Sequence, residues 1–145
     1  MKKITFLILT AMLFPLYASS QCFVKIGCGN GNVIGQKSDG TLWAWGWGAW
    51  GQAASGSDQD QPTPVLYANS TQIWSFFEAG SGTTFTIADD GSLWGTGGNN
   101  VGQLGVGTTE PGYLSIQQIN PGTFWKTIDS KSHTLGIQTN GTLWG

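Results

Sequence analysis

Arginine is absent from this chain, and its 145 residues include one histidine, two cysteines and six lysines. Charged residues make up only 10% of the total. Each shortage excludes a class of function. Nucleic-acid binding draws on a basic face that displaces counterions and on Arg forks that read base edges, and neither can be assembled here. A zinc site needs four ligands, or three and a water, so two cysteines and the distant His133 do not suffice. Beyond residue 20 no apolar run is long enough to span a bilayer, and none has the period of a long amphipathic helix.

The N-terminus is the exception. Lys2-Lys3, an apolar run from Ile4 to Phe14 closed by Pro15, and the small residues Ala18-Ser19-Ser20 read as a secretory signal peptide over residues 1–20. Gln21 does not fit the small residue that precedes a lipidated cysteine, so no lipid is expected on Cys22. Losing Lys2 and Lys3 takes the formal charge from −2 to about −4. The mature chain is expected outside the cytoplasm, secreted or in the envelope of a bacterium, with no membrane insertion. A small Cys22–Cys28 disulfide loop pinning the first strand is one expectation in an oxidising compartment; free thiols, or pairing with sequence outside this chain, are the others.

What the chain has in abundance is glycine, 23 residues, and tryptophan, eight residues. Aromatic content of 12% is too rich in core material for a disordered chain. These residues fall into a repeat. Asp39-Gly40-Thr41-Leu42-Trp43 returns as Asp90-Gly91-Ser92-Leu93-Trp94 and as Asn140-Gly141-Thr142-Leu143-Trp144, with the glycines 51 and 50 residues apart. Gly46, Gly51 and Gln52 recur as Gly97, Gly102 and Gln103, and Trp74 recurs as Trp125. A period of this size means supersecondary units, each burying its apolar face on the next. The units divide as 21–73, 74–124 and 125–145.

Each unit reads as antiparallel strands. Asp-Gly or Asn-Gly marks a tight two-residue hairpin turn, because such turns need positive φ. Phe85 and Ile87 alternate with Thr84 and Thr86, the pattern of a half-buried strand. Further strands are expected near 65–67 and 73–76, and Gly95-Thr96-Gly97-Gly98 is expected in a loop.

Gly40-Thr41-Leu42-Trp43-Ala44-Trp45-Gly46 and the stretch from Gly97 through Asn99, Gly102 and Gln103 to Thr108 resemble the two signature segments of the repeat named after the regulator of chromosome condensation, RCC1. The resemblance covers about residues 32–145. It implies an all-β fold, a β-propeller of four-stranded antiparallel blades of about 50 residues. Kelch and WD40 repeats have similar periods, but no Gly-His/Trp-Asp pairing exists here. The first copy departs from the pattern at Gly48, where the second has Asn99, and at Ala53-Ala54, where it has Leu104-Gly105.

A search for catalytic chemistry finds no constellation. His133 stands where this repeat often carries a His before a small hydroxyl residue, with no nucleophile motif beside it. Asp89-Asp90 precede Gly91 and Ser92, which marks a turn, where Asp accepts backbone N–H bonds. Asp58-Gln59-Asp60 hints at a calcium loop, but the spacing breaks at Pro62. Trp43, Trp94 and Trp144 share one repeat position, and Trp74 and Trp125 another, so all are expected in packing sites. Trp50 takes the place of Val101 and also reads as core. Trp47 takes the place of Gly98, an added large side chain in a loop, and is the candidate partner contact.

A closed propeller uses about four to eight blades, so two and a half units are expected to be the first part of a longer protein. The functional expectation is an exported, non-catalytic, cofactor-free binding or scaffold module for a protein or a surface glycan. Alternatives are the propeller portion of a larger secreted enzyme, or a secreted protein inhibitor, an activity that the resemblance allows. Guanine-nucleotide exchange, the activity best known for the family, is disfavoured by the signal peptide.

Overall fold

The computed structural model describes residues 22–145 except Thr71, without the side chain of Asn69. The expected signal peptide, residues 1–20, lies outside the described residues. The chain then runs through eleven strands. Unit 1 holds β1 (Phe23–Cys28), β2 (Asn32–Lys37), β3 (Leu42–Gly46) and β4 (Gln61–Leu66), followed by a 3₁₀ turn at Tyr67–Asn69. Unit 2 holds β5 (Trp74–Ala79), β6 (Thr83–Ala88), β7 (Leu93–Gly98) and β8 (Gly112–Ile119). Unit 3 holds β9 (Trp125–Ser130), β10 (Thr134–Gln138) and β11 (Leu143–Trp144). Each unit is one antiparallel sheet in which sequence neighbours are spatial neighbours, with four strands in units 1 and 2 and three in unit 3.

The recurring five-residue phrase builds the hairpin between the second and third strands, and it does so differently from the expected two-residue turn. Lys37 N–H donates to Thr41 O at 3.0 Å and Gly40 N–H to Lys37 O at 2.9 Å, so three residues form the loop. Only the glycine has positive φ: 85° at Gly40, 83° at Gly91 and 87° at Gly141. This is a type I turn closed by a left-handed bulge residue, a geometry in which Asp keeps an ordinary φ and Gly alone needs the freedom. Asp39 Oδ1 accepts Thr41 N–H at 3.0 Å and the Thr41 hydroxyl at 2.7 Å, and Trp43 Nε1–H donates to that hydroxyl oxygen at 3.0 Å. Asp90-Ser92-Trp94 and Asn140-Thr142-Trp144 repeat the relay.

The core lies between sheets. Ile34, Leu42, Ala44, Ala53, Ala54 and Tyr67 of unit 1 cluster with Trp74, Phe77, Ala79 and Ala88 of unit 2. Phe85, Ile87, Leu93, Leu104 and Ile119 of unit 2 cluster with Trp125 and Ile128 of unit 3. Unit 2 is therefore covered on both faces, and β6 is buried along its whole length, Thr84 and Thr86 included. The alternation of Phe85 and Ile87 with threonines records two different neighbours, not one wet face. The Gly95–Gly98 stretch is likewise strand, not loop: it lies in β7, and a register irregularity between Gly95 and Gly97 absorbs the φ of 104° at Gly97.

Cys22 and Cys28 are both exposed, and no disulfide joins them. They flank β1 at opposite ends, and a strand advancing about 3.3 Å per residue sets them far beyond the Cα separation that a disulfide spans. The expected small loop does not form.

Candidate functional site

Units 1 and 2 meet on one side through the loop joining β3 to β4, residues 47–60, and this loop carries the candidate site. Its backbone is tied down at several points. Trp47 N–H donates to Gly31 O at 2.7 Å, Gly51 N–H to Gly48 O at 2.7 Å, Ala54 N–H to Gly51 O at 2.8 Å and Gly56 N–H to Leu114 O of β8 at 3.0 Å. The Thr96 hydroxyl of β7 donates to Gly51 O at 3.0 Å. Gly51, at φ 80°, lies so close to β8 that a Cβ there would stand 2.5 Å from Leu114 Cα. The loop of one unit is thus fastened to the sheet of the next.

The Gly-Gln pairs sit on equivalent loops. Trp50 N–H donates to Gln52 Oε1 and Val101 N–H to Gln103 Oε1, both at 3.0 Å. Gln52 is fully buried, whereas Gln103 also reaches Asn100 Oδ1 with its amide at 3.2 Å. In the second loop the buried Asn99 accepts Leu104 N–H and donates to Thr108 O. Gly48 replaces that Asn in the first loop, and its N–H donates to the Asp60 carboxylate at 2.9 Å, where Asn99 N–H donates to Pro111 O at 3.0 Å. Asp60 therefore serves as a loop brace. Ala53 and Ala54 fill the places of Leu104 and Gly105, with Ala54 in the left-handed region at φ 50°.

On this braced loop two indoles stand half-exposed, Trp47 at 38% and Trp50 at 39%. Both lean over the tip of the β5–β6 hairpin. A Cβ on Gly82 would lie 3.3 Å from Trp50 Cδ1 and 3.8 Å from Trp47 Cζ3, and one on Gly31 would lie 3.3 Å from Trp47 Cβ. The glycines let the rings lie low against backbone and leave their other surfaces open. Trp50 is thus not core, contrary to the reading from its repeat position. Its counterpart Val101 is exposed too, so the position before Gly-Gln points outward in both units. The same loop adds two carboxylates to its exposed surface, those of Asp58 and Asp60.

The other sequence-selected positions divide by depth. Leu42, Leu93, Trp74 and Trp125 are core, and Trp43 and Trp94 are part-buried, Trp94 against the unit 1–unit 2 cluster. Trp144 is exposed at 51%, and His133 is exposed at the tip of the β9–β10 hairpin. Lys131 N–H donates to His133 O at 3.1 Å. Gly46 and Gly97 hold positive φ at strand bulges. A cleft of about 350 Å³ opens between units 2 and 3, lined by Phe85, Gln103, Trp125 and His133 among others, and His133 is its one titratable side chain. Among the described residues no three His, Cys, Asp or Glu side chains gather to hold a metal ion, and no helix is long and apolar enough to cross a membrane.

The comparisons agree with this architecture. Residues 39–88 match the family model of the regulator of chromosome condensation (RCC1) repeat. The fold is similar to the crystal structure of human WBSCR16, with a TM-score of 0.76 at 17% identity over 87% of this chain and 33% of that one. It is similar to the structure of Kap60 bound to yeast RCC1 (Prp20), with a TM-score of 0.69 at 19% identity over 86% and 29%. It is also similar to Prp20p from Saccharomyces cerevisiae, with a TM-score of 0.67 at 21% identity over 86% and 30%. The chain spans about a third of the length of each of these structures. No curated protein matches the sequence. Residues 39–88 match the RCC1 repeat, and the sheets share the fold of these propeller proteins.

Proposed function

We propose, from the RCC1-repeat match over residues 39–88 and the shared fold, that this chain belongs to an exported, non-catalytic binding module whose partner is a protein seated on the Trp47–Trp50 loop. One observation carries the reading: two large indoles stand half-exposed side by side on a loop whose backbone is tied to both neighbouring sheets. A rigid aromatic pair presents contact area without the entropy of ordering a mobile loop. Tryptophan is enriched among the residues that dominate interface energies. The similar fold of yeast RCC1 occurs in a complex with the protein Kap60, which supports a protein as the partner class. The signal-like N-terminus and the absence of Arg support a partner outside the cytoplasm and other than nucleic acid.

The test is affinity capture from the native envelope and medium, comparing the wild type with Trp47→Ala/Trp50→Ala. The expected result is one protein captured by the wild type and lost by the double variant at unchanged folding. Equal capture by both would remove the loop from the interface, and capture competed by a glycan would reassign the ligand class. Turnover of a substrate by the purified chain would overturn the non-catalytic reading.

A further inference from the structure

Building on the Trp47–Trp50 loop as the contact surface, and resting on that reading, we propose that the partner protein presents an arginine side chain there, its guanidinium laid on the indoles and its charge met by Asp58 and Asp60. Two stretches of the loop lie side by side. A Cβ on Gly48 would run into Gln59 O and stand 3.1 Å from Asp60 N, so residues 58–60 pass beside residues 47–50. The Asp60 carboxylate rests on the peptide that joins Trp47 to Gly48, accepting Gly48 N–H through Oδ1 at 2.9 Å. Asp58 Oδ1 accepts an amide N–H of the Gln59 side chain at 2.8 Å. Each carboxylate thus gives one oxygen to the loop, and both side chains remain exposed.

The charge around this loop has one sign. Residues 38–125 contain no Lys, Arg or His, and seven of the chain's eight carboxylates fall in that stretch. The lysines outside it are engaged elsewhere. Lys25 Nζ lies 4.6 Å from the Phe77 ring centroid, and Lys37 Nζ lies 3.4 Å from that of Trp43. Lys131, whose carbonyl accepts Ser81 N–H at the tip of the β5–β6 hairpin, acts on the Glu78 carboxyl. Among the described residues no lysine stands over Trp47 or Trp50. The Lys37–Trp43 pair shows, within the same unit, how an indole of this protein takes a cation.

Arginine fits the arrangement better than any other side chain. A cation over an indole is drawn by the negative face of the ring, and Trp is the strongest such ring. Guanidinium adds a flat stack on the indole and a fork of N–H donors that matches a carboxylate, neither of which an ammonium supplies. An acidic segment would be repelled by Asp58 and Asp60, and an apolar one would desolvate them without pairing them. The surrounding negative field also speeds the approach of a positive partner, an effect that salt suppresses.

The test uses the full-length protein and an immobilised acetyl-Gly-Arg-Gly-Arg-Gly peptide, beside its lysine and its neutral citrulline counterparts, read by surface plasmon resonance. The arginine peptide is expected to bind about tenfold tighter than the citrulline peptide, with lysine between them. That preference is expected to shrink between about 0.05 M and about 0.5 M NaCl. Asp58→Asn/Asp60→Asn keeps the acceptor oxygens of the loop and is expected to weaken arginine binding by roughly threefold to tenfold at an unchanged thermal melt. Asp58→Asn alone, which leaves the Gly48 brace untouched, carries part of that loss. Asp89→Asn, which removes a charge from the β6–β7 turn, is expected to change nothing. No binding of the arginine peptide, equal binding of arginine and citrulline, or an equal loss in Asp89→Asn overturns the proposal. So does arginine binding that survives Trp47→Ala/Trp50→Ala. A protein captured by the wild type, lost with the two indoles and not displaced by the arginine peptide overturns the arginine alone and leaves the loop as the interface.

Discussion

The recurring phrase is a hydrogen-bond relay in which each residue type has its own part. Asp or Asn braces the turn, Gly takes the left-handed bulge, Thr or Ser joins brace to indole, and Leu enters the core where a following unit covers it. Hydrogen bonds from Thr41 hold the Asp39 carboxyl below the usual carboxylate range, and those from Ser92 do the same for Asp90. A carboxylate with a lowered folded pKa contributes stability that is present above its unfolded pKa and is lost as pH falls through the folded value. Asn140 makes the same turn bonds without titrating. Asp90→Asn is therefore expected to keep the turn and to flatten the acid limb of a stability–pH profile, measured by denaturant titration at stepped pH. Glu78 has the opposite sign, its carboxyl raised by burial first and by Asp129 second. Its contribution declines as pH rises through the folded value, and Glu78→Gln is expected to remove that decline. Gly91→Val, which puts a β-branched side chain at φ 83°, is expected to lose roughly 1–3 kcal/mol in the same denaturant assay.

At the scale of elements, the loops show how far a repeat can be read by alignment. The 51-residue offset matches Gly51-Gln52 to Gly102-Gln103, and both pairs lie on equivalent loops. It also marks Gly48 as the missing Asn, but it does not reveal that the Asp60 side chain accepts Gly48 N–H where the aligned Pro111 offers its carbonyl to Asn99 N–H. Asp60→Ala is expected to cost about 1 kcal/mol by freeing Gly48 N–H, against roughly 2–3 kcal/mol for Asn99→Ala, whose loss strands buried groups. The expected two-residue turn failed because Asp-Gly serves two hairpin geometries, and only the closing bonds tell them apart. A second local difference is testable. Trp125 Nε1–H donates to Thr123 Oγ1 at 2.9 Å, whereas the buried Trp74 Nε1–H has no partner among the described residues and Gln72 stands at the position of Thr123. Gln72→Thr is expected to supply the hydroxyl and to raise unfolding free energy by about 1 kcal/mol in urea.

Across the whole molecule, the β content, the sheet composition and the placement of Trp74 and Trp125 in the core were legible because period and turn chemistry agree with one another. Burial was less legible. A strand covered on both faces looks half-polar when its second neighbour is another sheet, as β6 does with Thr84 and Thr86 fully enclosed. Leu42 and Leu93 are core, and the equivalent Leu143 is exposed. The candidate site was half legible, since Trp47 stood out as an added side chain whereas Trp50 hid behind its alignment with Val101.

The indoles are placed differently, Trp74 buried in the core and Trp47 half-exposed on a braced loop where the proposed partner would meet it. Thermal and denaturant melts of the single alanine variants measure that division directly. Trp74→Ala is expected to lose about 3–5 kcal/mol, the range for emptying a buried aromatic site, and Trp47→Ala less than about 1 kcal/mol. Equal losses at the two positions would contradict the division and return Trp47 to the core.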